Sequence, residues 1–231
     1  MTVLITIWGA RLTYNFWRKG GYSSGEEDYR WPFLRRVVPN KVLFHLFNLF
    51  FIAIYQNILL YLFTSPLVVC HQHSGRVPFG LADVALTGAF MVLLAGESIA
   101  DQQQWDFQSK KWALIKANQK RTGAHLAGFF VDGLFRYSRH PNAFCEIMLW
   151  WVVYGFSVVA TGQWLNPSVW GTFLLTLLFQ GSTTLTEYIS KSKYPTYGVY
   201  QKTTSRLIPL PPTNRRLLEE TIKKLENQKT D

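Results

Sequence analysis

The chain has 231 residues, 48% of them hydrophobic, 16% aromatic and 16% charged, with a formal net charge of +10 at pH 7. The charged fraction lies well below the roughly 25% of soluble domains, which argues against a soluble domain of ordinary composition. The length is sufficient for one domain. Cys70 and Cys145 are far apart, so the sequence contains no disulfide framework.

Five apolar runs occur along the chain, at residues 1–17, 42–64, 82–100, 144–160 and 168–186. Each is near the roughly 20 residues that a membrane-spanning helix needs. The first is the weakest because it contains Arg11, and it lacks the basic start and small-residue cleavage site of a signal peptide. The pattern predicts an all-α polytopic membrane helix bundle of about five spans, surrounded by membrane lipids.

The basic residues alternate with these runs. Six lie between the first and second runs, seven between the third and fourth, and nine after the fifth, whereas the loops at 65–81 and 161–167 contain only Arg76. This alternation follows the positive-inside rule and predicts a non-cytoplasmic N-terminus and a cytosolic C-terminus. Because topology accounts for the positive charge, we expect no nucleic-acid partner. We predict a transmembrane domain at 1–208 and a cytosolic charged tail at 209–231, a surface appendage with a helix at 214–227.

Several acidic and amide side chains lie near the predicted cytosolic ends of the spans. Glu97, Asp101 and Gln104 share one helical face, Asn142 and Glu146 are four residues apart, and Glu187 ends the fifth run. Acids at helix ends also meet headgroups or pair with lysines. Polar groups at membrane depth are costly, however, and the ends of different spans converge on one rim, so these residues predict a common cavity.

A basic cluster precedes the fourth run. Pro141 fits the first turn of a helix, whose N-terminal N–H groups and dipole favour an anion. Arginines add two-point binding of phosphate or carboxylate. The site suits a dinucleotide phosphate or the carboxylate of S-adenosylmethionine, with anionic lipid headgroups as an open alternative. The predicted anion-binding residues are Arg136, Tyr137, Arg139, His140 and Asn142.

Two further groups have weaker patterns. Tyr194, Tyr197 and Tyr200 recur every three residues and form either a shelf for a nucleotide ring or an interfacial aromatic belt. His71 and His73 lie in a predicted loop without a third ligand, so we predict no metal site.

Four sequence blocks occur together in order: "WGARL…RKGG…GEEDYRW", "ESIADQQQWDFQ", "GLFRYSRHPNAFCE" and "EYISKSKYPTYGVYQKTTSRLIPLPP". They resemble the steroid 5-alpha-reductase C-terminal-domain family, in its largely uncharacterised membrane branch with the R-Y-S-R-H-P-N signature. The resemblance covers nearly the whole chain. The R-H-P-N element alone is less specific, because isoprenylcysteine and phospholipid methyltransferases have similar forms.

The resemblance implies a membrane oxidoreductase of endoplasmic-reticulum type that transfers a hydride from NADPH to a C=C bond, often an enone, of a steroid or other lipid. It assigns Arg136 and Arg139 to the cofactor phosphates. It places Glu97, Asp101, Tyr137, Asn142, Glu146, Glu187 and the tyrosines of the last block, including Tyr197 and Tyr200, around NADPH. The protein would orient the cofactor, which supplies the chemistry.

The chain departs from the family pattern in three places. Ala143 replaces the usual tyrosine and Cys145 the usual glycine. Family members also carry about two further spans before the W-G-x-R-L block, including an acidic residue that contributes to catalysis. Either two N-terminal spans are absent or the proton donor has been lost or moved. Within the given chain, Tyr14, Tyr55 and Gln56 are the catalytic candidates.

Two other functions fit parts of the same pattern. One is an S-adenosylmethionine-dependent methyltransferase acting on a prenylated cysteine or a phospholipid. The other is a non-catalytic membrane protein whose basic rim binds anionic lipid. The "ESIADQQ" and "GEEDYR" blocks favour the reductase over the methyltransferase.

Overall fold

The computed structural model describes residues 1–25, 27–75 and 77–228. Arg76, Lys229 and the last two residues of the predicted tail therefore lie outside the described residues. Throughout these ranges the regular secondary structure is helical, and one isolated parallel bridge joins Ser138 and Ser205.

Ten α-helices, one π-helix and one 3-10 helix occur in the described ranges. In chain order they are α1 Thr2–Arg18, α2 Arg30–Val37, α3 Lys41–Phe47, the π-helix Asn48–Tyr55, α4 Gln56–Gln72, α5 Leu81–Lys116, α6 Gly123–Ala127, the 3-10 helix Gly133–Arg136, α7 Pro141–Thr161, α8 Val169–Lys193, α9 Tyr197–Thr203 and α10 Arg215–Asn227.

All five predicted apolar runs are helical, which confirms the all-α prediction. Three segments of the described chain are long and apolar enough to cross a membrane: Lys41–Gln72, Leu81–Lys116 and Pro141–Thr161. Helices of this length and composition are typical of an integral membrane protein. The runs at 1–17 and 168–186 form α1 and α8, and the five-span count stays a prediction.

The first of these three segments contains a π-helix that its apolar run does not reveal. Within and beside it, the ring of Phe51 stacks on Phe47 at 5.2 Å and on Tyr55 at 5.4 Å, each pair at 15°. A π turn is wider than the α-helical turn of about 3.6 residues, so residues four apart lie more nearly above one another. The stacking of Phe51 on Phe47 and on Tyr55, each four residues away, fits this π-helical geometry.

The chain divides into two compact units, each made of two separated stretches. Unit 1 comprises Met1–Leu94 and Ile147–Ser182, and unit 2 comprises Ala95–Glu146 and Thr183–Asp231. The last stretch, which belongs to unit 2, includes the tail predicted at 209–231. The predicted boundary between residues 208 and 209 stays a prediction.

Unit 1 has an aromatic core centred on Trp150, which is 1% exposed. The Trp150 ring meets Trp8 edge-on at 5.1 Å and Phe63 at 4.3 Å. Such edge-to-face pairs contribute about 0.5–1.5 kcal/mol beyond the burial of their area. The start of α8 passes very near α4, because a Cβ added at Gly171 would lie 2.1 Å from the carbonyl carbon of Leu62.

Unit 2 has its own core, to which α10 contributes. Leu218 and Ile222 are four residues apart on one face of α10 and are buried with Phe129, Tyr197 and Tyr200. The side chain of Asn214 accepts a hydrogen bond from the Leu217 N–H at 3.1 Å, which caps the helix at its predicted start. The helix is confirmed, but its description as a surface appendage is wrong.

Candidate functional site

Arg139 lies at the centre of a buried polar cluster in unit 2. Its Nε donates to Glu187 Oε1 at 2.6 Å and its Nη2 to Glu187 Oε2 at 3.0 Å. Its Nη1 donates to the backbone carbonyl of Gln201 at 2.9 Å and to that of Thr204. These are four of the five N–H bonds that a guanidinium offers. Arg139 thus binds groups of the protein itself, in a way that sequence patterns did not indicate.

Glu187 receives further donors from the same cluster. His140 Nε2 lies 3.1 Å from Glu187 Oε1, and Gln201 Nε2 donates to Glu187 Oε2 at 2.9 Å. Burial by itself would raise the pKa of the Glu187 carboxyl. The hydrogen bonds from His140, Arg139 and Gln201 and the charge of Arg139 outweigh burial and lower the pKa to about 2. Glu187 is therefore an ionised structural acceptor at neutral pH.

The segment before α7 is held against the segment after α9 by backbone pairing. Arg139 N–H donates to Ser205 O at 2.8 Å and His140 N–H to Arg206 O at 3.1 Å. The buried Ser138 hydroxyl donates to Leu207 O at 2.7 Å. The R-Y-S-R-H-P-N block and the T-T-S-R-L block therefore form one ordered structure.

A second polar contact joins the antiparallel helices α5 and α7. Asn142 Nδ2 donates to Asp101 Oδ1 at 3.3 Å. One turn away the helices are close, since a Cβ added at Gly96 would lie 3.1 Å from the sulfur of Cys145. Glu97 is one helical turn from Asp101, and Glu146 is one turn from Asn142. The structure thus brings Asp101 and Asn142 together, with Glu97 and Glu146 one turn from that contact, and the predicted common cavity stays a prediction.

The 3-10 helix places Arg136 and Tyr137 on the surface of unit 2. Gly133 begins it with a φ of +57° and lies against Gln103, so a side chain there would be strained. Gln103 Oε1 accepts the Leu134 N–H at 3.0 Å. Arg136 is exposed and Tyr137 is 43% exposed. Gln103 and Gln201 are positioning residues that no sequence pattern marked.

Comparison with known proteins places the chain in a family. The family described as "Protein of unknown function (DUF1295)" matches residues 1–204. The chain belongs to the DUF1295 family. An uncharacterized protein of Schizosaccharomyces pombe is 41% identical over 215 residues, which cover 90% of this chain and 62% of the relative. The chain thus spans less than two thirds of that relative's length. No solved structure matches the chain.

Tyr197 and Tyr200 of this DUF1295 chain have a different position from the one predicted. They are 5% and 2% exposed, and both rings pack on Phe129, at 5.0 and 5.5 Å. The Tyr200 hydroxyl donates to Phe135 O at 2.5 Å. A ring shelf or an interfacial belt needs an exposed ring face, so both interpretations are wrong for these two residues.

The three catalytic candidates all belong to unit 1. Tyr14 is exposed on α1, beside Trp17 at 6.0 Å and below the guanidinium of Arg18 at 5.5 Å. Tyr55 is half-buried at the end of the π-helix, and Gln56 is half-buried at the start of α4. Their role as proton donors stays a prediction.

The two histidines assigned to a loop lie at a helix end instead. His71 belongs to α4, and His73 caps it, with Nδ1 2.9 Å from the carbonyl oxygen of Val69. Within the described ranges, no group of three His, Cys, Asp or Glu side chains has an arrangement that would hold a metal ion.

Proposed function

We propose that the chain is a membrane oxidoreductase that transfers a hydride from NADPH to a C=C bond, typically of an enone, in a steroid or other lipid. The observation that carries the proposal is the Asp101–Asn142 contact. It joins two of the four blocks that carry the resemblance to the steroid 5-alpha-reductase C-terminal-domain family.

The polar groups on α5 and α7 fit a nicotinamide nucleotide. Carboxylates at Glu97, Asp101 and Glu146 accept hydrogen bonds from ribose hydroxyls and a carboxamide N–H, and the amide of Asn142 both donates and accepts. The exposed guanidinium of Arg136 fits a phosphate. When bound, NADPH supplies the hydride, and the protein supplies its orientation and the exclusion of water.

Arg139 does not fit the predicted role of a phosphate ligand, because four of its N–H bonds are used within unit 2. In the proposal it positions the segment that carries Arg136, Tyr137 and Asn142. The acceptor carbonyl of an enone needs a hydrogen-bond donor as negative charge develops on its oxygen. Tyr14, Tyr55 and Gln56 are the proposed candidates for that donor.

The proposed location is the endoplasmic reticulum, with a cytosolic C-terminus. The support is the resemblance, together with the alternation along the sequence of loops rich in basic residues and loops with almost none. A cytosolic C-terminus would give the basic residues near Arg136 access to a soluble nucleotide.

The test is thermal unfolding of the detergent-solubilised chain with NADPH, NADH or S-adenosylmethionine. We expect NADPH to raise the unfolding temperature through preferential binding to the folded state. Asn142→Ala and Arg136→Ala should each weaken NADPH binding by roughly tenfold, since each loses a hydrogen-bonding or charged contact. Lys202→Ala, at an exposed lysine of α9, is the matched control and should bind NADPH like the original chain.

Each alternative has its own outcome in this test. Protection by S-adenosylmethionine without protection by NADPH would replace the reductase with a methyltransferase. Protection by neither would favour the non-catalytic protein. If NADPH protects the chain, turnover is measured with a 3-oxo-4-ene steroid as the acceptor. The absorbance of NADPH then reports its oxidation.

A further inference from the structure

A polar cavity of about 570 Å³ lies in unit 2, apart from the residues proposed for NADPH. The loop that follows α5 and the C-terminal end of α10 form its walls. Its volume is within the roughly 300–1,000 Å³ of small-molecule sites. The lining residues are Asn118, Gln119, Lys120, Arg121, Thr122, Leu126, Glu226 and Asn227.

The chemistry of the lining favours an anion. Lys120 and Arg121 bring two cations, and Asn118, Gln119 and Thr122 bring hydrogen-bond donors. Among the described residues of the lining, Glu226 is the one carboxylate, and its Oε1 accepts the backbone N–H of Gly123. The formal charge of these described lining residues is therefore positive.

The wall that α10 contributes to the cavity is held in place by the packing of this helix. The buried face of α10, which contains Leu218 and Ile222, holds this helix against α6 and α9. Because that apolar face is covered, α10 is not available as an amphipathic helix lying on a membrane. Lys223 is exposed one turn before Glu226 and Asn227 and adds positive charge on the same side of the helix.

We propose that this cavity binds a phosphate-bearing ligand through Lys120 and Arg121, at a site separate from the proposed NADPH site. Arginine binds a phosphate through two N–H bonds, and lysine binds it as a point charge. The phosphate belongs either to a soluble molecule or to a phospholipid headgroup. Both sources present the same chemistry to the cavity.

The experiment measures calorimetric binding of two probes to the full, detergent-solubilised chain. The soluble probe is inorganic pyrophosphate, and the lipid probe is dihexanoyl phosphatidic acid. We expect at least one to bind, and the one that binds more tightly identifies the source.

Lys120→Ala/Arg121→Ala should weaken the binding of that probe by roughly tenfold or more, because two charged contacts are lost. Lys202→Ala/Arg216→Ala removes the same charge from two exposed residues outside the lining and should leave it unchanged.

Glu226→Gln provides a test that does not depend on loss of binding. The amide oxygen still accepts the Gly123 N–H, but the negative charge that opposes an anion is gone. We therefore expect tighter probe binding. Any of three results would overturn the proposal. These are weaker probe binding by Glu226→Gln, an equal loss of probe binding in the two double variants, and no binding of either probe to the original chain.

NADPH affinity distinguishes this site from the proposed function. We expect Lys120→Ala/Arg121→Ala to keep the original NADPH affinity, and a parallel loss of NADPH and probe binding would contradict a separate site. Probe binding that persists in a chain that does not bind NADPH would end the reductase proposal and leave this one intact.

Discussion

Arg139 and Glu187 form a two-point ion pair in which the side chains are only 8% and 7% exposed. The pair joins the segment before α7 to the cytosolic end predicted for α8. Removing two charges from water is costly, and further hydrogen bonds from His140 and Gln201 offset that cost here. The pair therefore fixes the shape of the segment that carries the proposed nucleotide-binding residues.

The first prediction concerns the loss of one partner from this pair. Glu187→Ala leaves the buried guanidinium of Arg139 without its carboxylate, so we expect the free energy of unfolding to fall by about 3–5 kcal/mol. Equilibrium unfolding in detergent measures the change. Glu219→Ala is the control, because Glu219 pairs with Arg215 while 59% exposed, and its removal should cost about 0–1 kcal/mol. Equal costs in the two variants would contradict the structural role of Glu187.

The second prediction concerns the pH dependence of stability. The pKa of Glu187 is lowered from 4.5 to about 2 in the folded chain. The stability from its ionised form is thus fully present above the unfolded pKa and is lost as the pH falls toward 2. We expect the original chain to unfold at a higher temperature than Glu187→Gln. This difference should stay constant as the pH is lowered from neutral to near 4.5 and should then shrink. An advantage that does not change across this acidic range would show that the carboxylate is not specifically stabilised.

The third prediction separates packing from cofactor binding at Tyr200. Tyr200→Phe keeps the ring but leaves the Phe135 carbonyl without the hydroxyl donor, so we expect a loss of about 1–3 kcal/mol in the free energy of unfolding. NADPH affinity should not change, because the ring is buried. Tyr22→Phe, at a 66% exposed tyrosine, should change neither quantity. A Tyr200→Phe variant with normal stability and weaker NADPH binding would restore the ring-shelf interpretation.

Features set by neighbouring residues were predictable from the sequence. Pro141 begins α7 because its fixed φ suits the first helical turn, and α10 begins directly after Asn214 because the side chain of Asn214 caps a backbone N–H. The helical spacing of Glu97 and Asp101, and of Asn142 and Glu146, also identified two helical faces, which meet at the hydrogen bond between Asn142 and Asp101.

Features set by distant partners were not predictable. The charge of Arg139 is the same whether it faces a phosphate or Glu187, which lies 48 residues away. The three-residue spacing of Tyr197 and Tyr200 does not reveal Phe129, whose ring covers them. The polar composition of the tail concealed the Leu218–Ile222 stripe, because a short helix with one apolar face has the average composition of a solvated segment.

The last prediction tests whether α10 is part of unit 2. Leu218 is 1% exposed, and its neighbour Leu217 is 43% exposed, so one substitution at each position gives a matched pair. Leu218→Ala leaves a cavity against Phe129 and the α9 tyrosines and should cost about 2–5 kcal/mol of the free energy of unfolding, whereas Leu217→Ala should cost under about 1 kcal/mol. Equilibrium unfolding in detergent compares the two. Equal effects would mean that α10 is not packed into this core, and the wall of the phosphate cavity would then lose its support.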